Sequence, residues 1–158
     1  YRHEKTFYNP TMFAGMITSD TAIGDVEAKL KVWNALQYER VGLNLRPELA
    51  AVKDVNGDKD AFAAVAKLVA ETSEFNLVMI SEDAGVMAAG IEACGFKRPV
   101  IYAATEGNVD VYGKMALDNE LPLVRHVDDH VGPNDLVIAD DVYLLDEIAV
   151  LDHTGQLP

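Results

Sequence analysis

Residues 75–105 have the sequence FNLVMISEDAGVMAAGIEACGFKRPVIYAAT, and this stretch decides the fold. It contains two short apolar runs, at residues 77–80 and 100–103, with a helical pattern between them. Unbroken apolar runs of this length are typical of strands that are covered on both faces. Met87, Ile91 and Cys94 follow the i, i+4, i+7 spacing of one buried helical face. The stretch therefore predicts a β-α-β crossover, in which the two strands are parallel.

The ends of this central helix are also predicted from the sequence. We expect Ser81 to cap its start, because a serine hydroxyl can accept from the free backbone N–H groups there. Glu82 and Asp83 would then lie in the first turn, where negative charge is favoured. Gly95 is expected to end the helix, and Pro99 to open the next strand.

The same alternation of apolar runs and helical patterns continues along the rest of the chain. It predicts three further strands, at residues 13–17, 49–52 and 123–125, and we expect all five strands to be adjacent and parallel in chain order. Helices are predicted from Asp25, from the turn at residues 56–58 to about Glu71, and from Gly107 to Asn119. Their predicted inward-facing residues are Val26, Leu30, Trp33 and Leu36, then Phe62, Val65, Leu68 and Val69, and finally Val111, Tyr112 and Met115.

The last part of the chain admits two interpretations. In the preferred one, Asn134 caps a helix that carries Ile138, Val142 and Leu145 on one face, and residues 148–151 form a sixth strand. In the other, residues 136–139 are a strand.

Strict alternation of strands and helices leaves two α/β architectures. A TIM-type β/α barrel needs eight strands and roughly 250 residues, so residues 1–158 would be a single incomplete barrel domain. A doubly wound open parallel sheet is complete with five strands, and chain length by itself favours it. No strand is followed by a G-x-G-x-x-G or P-loop pattern, which weakens the nucleotide-binding version of the open sheet.

The composition limits the class of protein. The 158 residues are 49% hydrophobic, which is ordinary for one soluble domain with a real core. The net charge of −13 argues against nucleic acids and anionic membranes as partners, because both require a basic surface. No membrane-spanning run or secretory signal is visible. The single cysteine rules out an internal disulfide, so a reducing, cytoplasmic location is expected. Because the chain begins with Tyr1, we interpret it as a piece of a longer protein or a processed product.

Polar residues follow the predicted strands, at the ends where both architectures bind ligands. We regard them as weak candidates for cofactor binding, and assign no catalytic residue and no metal ligand. The candidates are Asp20, Lys53, Ser81, Asp83, Thr105 and Arg125. Residues of these types commonly cap helices and turns, so the residues by themselves give no decisive catalytic signature.

Two other potential sites are rejected from the sequence. His126 and His130 have a metal-binding spacing, but the Gly132-Pro133 pair argues against the helix that would bring them together. Cys94 lies on the apolar face of a predicted helix, which indicates a small core residue rather than a nucleophile.

Three segments give the sequence a specific resemblance: RHEKTFY at residues 2–8, ERVG at 39–42 and LRPELAAVK at 45–53. They resemble the large (gamma) subunit of the corrinoid iron–sulfur protein of the acetyl-CoA synthase/CO dehydrogenase system. The strand ends MISED at residues 79–83 and IYAAT at residues 101–105 are similar in order and spacing. The resemblance covers about residues 1–127 and the central barrel region of that subunit.

The resemblance implies a scaffold and subunit-interaction role. The parent protein would carry a corrinoid and a four-iron four-sulfur cluster in domains outside this sequence, so no cofactor is expected in this chain. It would take a methyl group from methyl-tetrahydropterin to acetyl-CoA synthase in the reductive acetyl-CoA pathway. The implied partners are the small subunit of the corrinoid iron–sulfur protein and, transiently, the methyltetrahydropterin methyltransferase and acetyl-CoA synthase.

An alternative function stays open: a free-standing small α/β enzyme or ligand-binding domain with its site at the strand ends. The two functions differ in expected behaviour. A partial barrel exposes sheet edges at its first and last strands, and such edges promote association. If the barrel interpretation is right, we expect the isolated chain to be insoluble, molten or oligomeric.

Overall fold

The computed structural model describes residues 12–125, 137–139 and 142–145. The main elements are β1 (Met12–Thr18), α1 (Ile23–Ala35), β2 (Tyr38–Arg40), β3 (Leu43–Leu45), β4 (Pro47–Lys53), α2 (Lys59–Thr72), β5 (Asn76–Ile80), α3 (Ala84–Cys94), a 3-10 turn (Gly95–Lys97), β6 (Val100–Ala104), α4 (Val109–Asp118), β7 (Leu123–Arg125), β8 (Val137–Ala139) and β9 (Val142–Leu145). No helix in this part of the chain is long and apolar enough to cross a membrane.

Seven strands form one sheet in the order β7-β6-β5-β4-β1-β9-β8, and β2 and β3 form a separate hairpin. Within the large sheet, β1, β4, β5, β6 and β7 are neighbours and all parallel. The prediction of five adjacent parallel strands in chain order is therefore confirmed. Each step from one of these strands to the next moves in the same direction across the sheet.

The two faces of the parallel strands are covered differently. The four helices contribute to a buried core on one face, where they meet alternate strand residues such as Ile17, Val52 and Met79. The second apolar cluster consists of strand residues alone, among them Leu49 and Val78. Because the side chains of a strand alternate between its faces, burial on both sides requires the unbroken apolar runs seen in the sequence.

The architecture is α/β with a five-stranded parallel sheet. Over the described residues the sheet is open, with β7 at one edge and β8 at the other. This arrangement is compatible with the open-sheet alternative, and these strands do not by themselves establish the barrel.

Most of the predicted helical core is confirmed, since Val26, Leu30 and Phe62 are buried and Met87 is fully enclosed. The predictions for two inward-facing residues are wrong. Leu36 is 54% exposed, because α1 ends at Ala35 and the chain is extended at Leu36. Val111 is 52% exposed beside the fully buried Tyr112, because consecutive helical residues point in directions about 100° apart.

The helix predicted from Asn134 is wrong. β8 and β9 instead pair with each other in antiparallel fashion, and β9 also pairs antiparallel with β1. β8 carries two β-branched residues, β9 carries Val142 and the aromatic Tyr143, and the two strands are separated by two positions, a spacing that a hairpin allows. The alternative interpretation, with a strand at residues 136–139, is thus confirmed in substance. The strand predicted at residues 148–151 lies outside the described residues.

This hairpin also changes the expectation for the sheet edges. Met12, Phe13 and Ala14 of β1 pair with Leu145, Leu144 and Tyr143 of β9. The expectation of an exposed edge at the first strand is therefore wrong for residues 12–14. The last parallel strand, β7, does lie at an edge of the described sheet.

Candidate functional site

A cleft of about 430 Å³ lies at the carboxyl ends of β4, β5 and β6. Four of the six predicted site residues line it: Lys53, Ser81, Asp83 and Thr105. They come from three different strand ends, which meet because parallel strands end along the same side of a sheet. We call this cavity the strand-end cleft.

Asp20 does not line the cleft. Asp20 is exposed, and its neighbour Ser19 is the residue that turns inward after β1. The Ser19 hydroxyl donates to Asn56 Oδ1 at 3.3 Å and accepts from the Val55 N–H at 3.2 Å. Arg125 ends β7, but its side chain lies outside the described part of the chain, so this candidate is untested. The rejected metal pair, His126 and His130, also lies outside the described residues.

Ser81 is buried beneath the strand-end cleft and connects two turns. Its hydroxyl donates to Asp54 Oδ2 at 3.0 Å and accepts from the Asp83 N–H at 3.1 Å. The other carboxylate oxygen of Asp54 accepts from the Gly57 N–H at 2.9 Å. Ser81 and Asp54 together therefore hold the segment after β4 against the segment after β5.

The predicted cap of α3 is wrong by two residues. Asp83, not Ser81, is the N-cap, and its Oδ1 accepts from the N–H groups of Gly85 at 2.6 Å and Val86 at 3.0 Å. β5 runs to Ile80 and α3 starts at Ala84, so Ser81 is too early in the chain to reach the first turn. The Asp83 carboxylate is thus used to start a helix.

Tyr112 supports the cleft from below, although the sequence indicated only a core residue. Its side chain is fully buried, and its hydroxyl donates to the Ser81 carbonyl at 2.8 Å. Burial raises the pKa of Tyr112 to about 12, and the nearby negative charges of Asp83, Glu82 and Asp54 contribute to the rise. The phenol is therefore a neutral donor near neutral pH. No local pattern reveals a contact between residues 31 positions apart.

The chemistry available at the strand-end cleft follows from these contacts. The carboxylates of Asp54 and Asp83 and the hydroxyl of Ser81 already hold backbone or side-chain partners, and the Thr105 N–H donates to Asn108 Oδ1 at 2.6 Å. Within the described residues, no three His, Cys, Asp or Glu side chains are placed to hold a metal ion. The polar groups of the cleft mainly join turns, and Lys53, Glu82 and Asp83 are its exposed charges.

Cys94 lies in the core, as predicted. Its thiol donates to the Gly90 carbonyl at 2.9 Å and lies 3.6 Å from the Met79 sulfur. Burial raises the pKa of the Cys94 thiol to about 12, so it is not a thiolate at neutral pH. An iron–sulfur cluster with four thiolate ligands does not fit a chain with this one cysteine.

The relatives of this chain are identified by comparison with known proteins. The family model described as CdhD, CO dehydrogenase/acetyl-CoA synthase delta subunit, matches residues 1–137. The chain belongs to this family. The CdhD match ends at the first residue of β8, so nearly all of the β8–β9 hairpin lies beyond it.

Curated relatives of this chain carry related names. The corrinoid/iron-sulfur protein large subunit of Moorella thermoacetica is 29% identical over 123 residues, which are 78% of this chain and 28% of the relative. The acetyl-CoA decarbonylase/synthase complex subunit gamma of Methanopyrus kandleri is 33% identical over 130 residues, or 82% and 28% of the two chains. Subunit gamma 2 of Methanosarcina thermophila is 34% identical over 125 residues, or 78% and 26%.

These findings confirm the resemblance seen in the sequence. The family description names a delta subunit, whereas the curated relatives are called large or gamma subunits. The chain spans little more than a quarter of the length of these relatives.

Proposed function

We propose that this chain is a scaffold and subunit-interaction region of the large subunit of a corrinoid iron–sulfur protein. In this proposal the whole protein carries a methyl group from methyl-tetrahydropterin to acetyl-CoA synthase in the reductive acetyl-CoA pathway. The observation that carries the proposal is the CdhD family match over residues 1–137, and the names of the curated relatives agree with it.

We further propose that the five parallel strands are part of the wall of a TIM-type β/α barrel. The support is twofold: the strands follow one another in chain order, and the four helices share a core on one face. A doubly wound sheet reverses direction at a switch point and carries helices on both faces. In the barrel, the second apolar cluster, with Leu49 and Val78, would belong to the packed interior.

The cofactors and partners of the proposal lie outside this chain. The corrinoid and the four-iron four-sulfur cluster would be held by other parts of the large subunit, since this chain supplies only Cys94 as a thiol. The proposed partners are the small subunit of the corrinoid iron–sulfur protein and, transiently, the methyltetrahydropterin methyltransferase and acetyl-CoA synthase. The proposed location is the cytoplasm.

Co-expression of the chain with the small subunit of a corrinoid iron–sulfur protein tests the scaffold role. We expect a stoichiometric complex in size-exclusion chromatography, and no iron or cobalt bound to this chain by metal analysis. An unrelated α/β protein of similar negative charge is the control for non-specific association. A chain that folds cooperatively but forms no complex at micromolar concentrations would contradict the scaffold role.

A second candidate function is ligand binding or catalysis by a free-standing α/β domain. The observation that favours it is the convergence of Lys53, Ser81, Asp83 and Thr105 on one cleft. Lys53→Gln removes an exposed charge of that cleft and leaves the Ser81–Asp54 contact in place. A small anionic metabolite that raises the melting temperature of the wild type but not of Lys53→Gln would support this candidate, and equal shifts in both would count against it.

A further inference from the structure

A second cleft, the hairpin groove, lies between the start of β1, the end of α1 and the β2–β3 hairpin. Its volume is about 160 Å³. It is at the amino ends of β1 and β4, so it is separate from the strand-end cleft. The side chains that matter for its chemistry are Phe13, Trp33, Leu36, Tyr38, Leu45 and Arg46.

The floor of the hairpin groove is rigidly set by Trp33. Its indole lies against the β1 backbone so closely that a Cβ at Gly15 would be 2.6 Å from the ring atoms. The same indole meets the Phe75 ring edge-on, with 6.3 Å between the ring centroids. Because these contacts fix the indole, the groove is formed before any ligand arrives, which is typical of binding sites.

The walls of the groove expose apolar side chains to solvent. Leu36 and Tyr38 are each 54% exposed. Val41, at the tip of the same hairpin, is 93% exposed and has a φ of 52°, a backbone conformation that β-branched residues disfavour. Exposed apolar residues grouped beside a groove mark an interaction site more often than residues scattered singly.

The segment that supplies most of the groove lining is opposite in charge to the whole chain. Residues 29–46 contain four basic side chains and one acidic side chain, whereas the whole chain has a net charge of −13. Arg46 is the single charged residue that lines the groove. Lys29 lies on the same helical face as Trp33, because four residues separate them. The Arg46 side chain therefore attracts an acidic group to the groove, whereas the net charge of the whole chain repels it.

We infer that the hairpin groove docks an acidic segment of a partner subunit, which inserts one aromatic side chain between Trp33, Leu36 and Tyr38. The size fits, because a cavity of about 150 Å³ can hold a benzene ring. A carboxylate beside that aromatic residue would bind the Arg46 guanidinium, whose planar fork matches carboxylate geometry. This inference rests on the proposed role as a subunit-interaction region.

Trp33 makes the inference directly testable, since it is the chain's single tryptophan. The probe is the capped peptide Asp-Glu-Phe-Asp-Glu, titrated into the full chain while the Trp33 emission is recorded. We expect saturable binding. Replacing the peptide's Phe by Ala should weaken binding by about tenfold or more, because buried aromatic anchors dominate such interfaces. A peptide with Lys in place of its acidic residues should not bind.

Two charge-reversed variants test whether the peptide binds at the hairpin groove. Arg46→Glu should weaken binding of the Phe peptide by about fivefold or more, because it replaces an attractive charge with a repulsive one. Lys114→Glu makes the same change on the exposed surface of α4, outside the groove, and should leave the affinity within about twofold. Circular dichroism of both variants verifies that they are folded.

Several results would overturn the inference. Equal affinity for the Phe and Ala peptides would exclude an aromatic anchor, and equal affinity of the wild type and Arg46→Glu would exclude the charge contact. A Trp33 emission that changes on dilution without peptide, together with dissociation of a dimer, would assign the groove to a second copy of the chain. If the small subunit still binds the chain while the peptide does not, only the groove inference fails. Failure of both would refute the scaffold role as well.

Discussion

Gly90 sets the distance between α2 and α3. A Cβ at this position would lie 2.6 Å from the Phe62 ring and 3.0 Å from the Met79 sulfur. We therefore expect Gly90→Ala to destabilise the fold by about 1–3 kcal/mol, although alanine favours a helix by about 1 kcal/mol over glycine. Gly113→Ala in α4 is the matched control, because nothing lies within 4 Å of its Cβ. It should stabilise the chain, by about 0.5–1 kcal/mol.

Urea unfolding followed by Trp33 fluorescence measures both glycine variants. Both variants replace glycine by alanine in a helix, so the test is whether the unfolding free energy decreases for Gly90→Ala and increases for Gly113→Ala. If Gly90→Ala is as stabilising as Gly113→Ala, the close contact between α2 and α3 is not present in solution.

Tyr112 is the second residue for which we predict the effect of a substitution on stability. Tyr112→Phe removes the hydrogen bond to the buried Ser81 carbonyl, and should cost about 1–2 kcal/mol at pH 7. The folded-state pKa of about 12 exceeds the ordinary value of 10, so the unfolded chain loses this proton first as the pH rises. The stabilising contribution of Tyr112 is therefore complete below pH 10 and is lost by about pH 12.

The difference in unfolding free energy between wild type and Tyr112→Phe isolates this effect from the other tyrosines and lysines. We expect the difference to decrease from pH 9.5 to pH 12. A difference that stays constant over that range would show that Tyr112 titrates normally and is not enclosed as described.

At the scale of elements, β9 is the strand with the clearest separate role. It lies between β1 and β8, and its residues Tyr143 and Leu144 have partners in both neighbouring strands. Leu144→Pro removes one backbone N–H donor from this strand and should cost about 1–3 kcal/mol. The β1 edge would also be released, so we expect more self-association in size-exclusion chromatography. Leu144→Val retains the N–H and is the control; equal behaviour of the two variants would contradict the β1–β9 pairing.

Elements set by local pattern were predictable, and those set by distant partners were not. The five parallel strands follow from apolar runs that need no knowledge of the rest of the chain. The spacing of Ile138, Val142 and Leu145 fits one helical face, but so short a pattern does not exclude β-branched strands. Ser81 is a good capping residue in isolation, but α3 starts only at Ala84, and the Ser81 hydroxyl instead donates to Asp54, which is 27 positions away.

The candidate site was predictable only as a location. The ends of parallel strands meet, so Lys53, Ser81, Asp83 and Thr105 came together as expected. What each side chain does was not predictable, because Tyr112 and Asp54 reach the cleft from other elements. The hairpin groove was missed altogether. The closeness of Trp33, Tyr38 and Arg46 in the sequence was its one local signal.

At the scale of the whole molecule, we expect the isolated chain to self-associate through the β7 edge. Because β9 pairs with residues 12–14 of β1, association through the β1 edge is less favourable than the sequence indicated. The net charge of −13 opposes association at pH 7 and falls towards zero near the isoelectric point of about 4.5. Light scattering should therefore show larger species as the pH falls from 7 to 5 or as salt is added.

A cooperatively folded monomer under all these conditions would contradict self-association. It would also favour a complete open-sheet domain over a partial barrel. Denaturant unfolding of the same samples separates a folded monomer from a molten one, because only the folded monomer gives a sharp single transition.

The strand order of the sheet also determines what the chain can do while it is still on the ribosome. β4, β5, β6 and β7 each emerge when their parallel neighbour has already been synthesised, so the sheet can grow one strand at a time from the N-terminal side. β1 is the exception on the side that faces β9, because the pairing partner of Met12 is Leu145, which is synthesised much later. Until residues 143–145 have been synthesised, that side of β1 lacks its β9 partner and is open to nascent chains on neighbouring ribosomes.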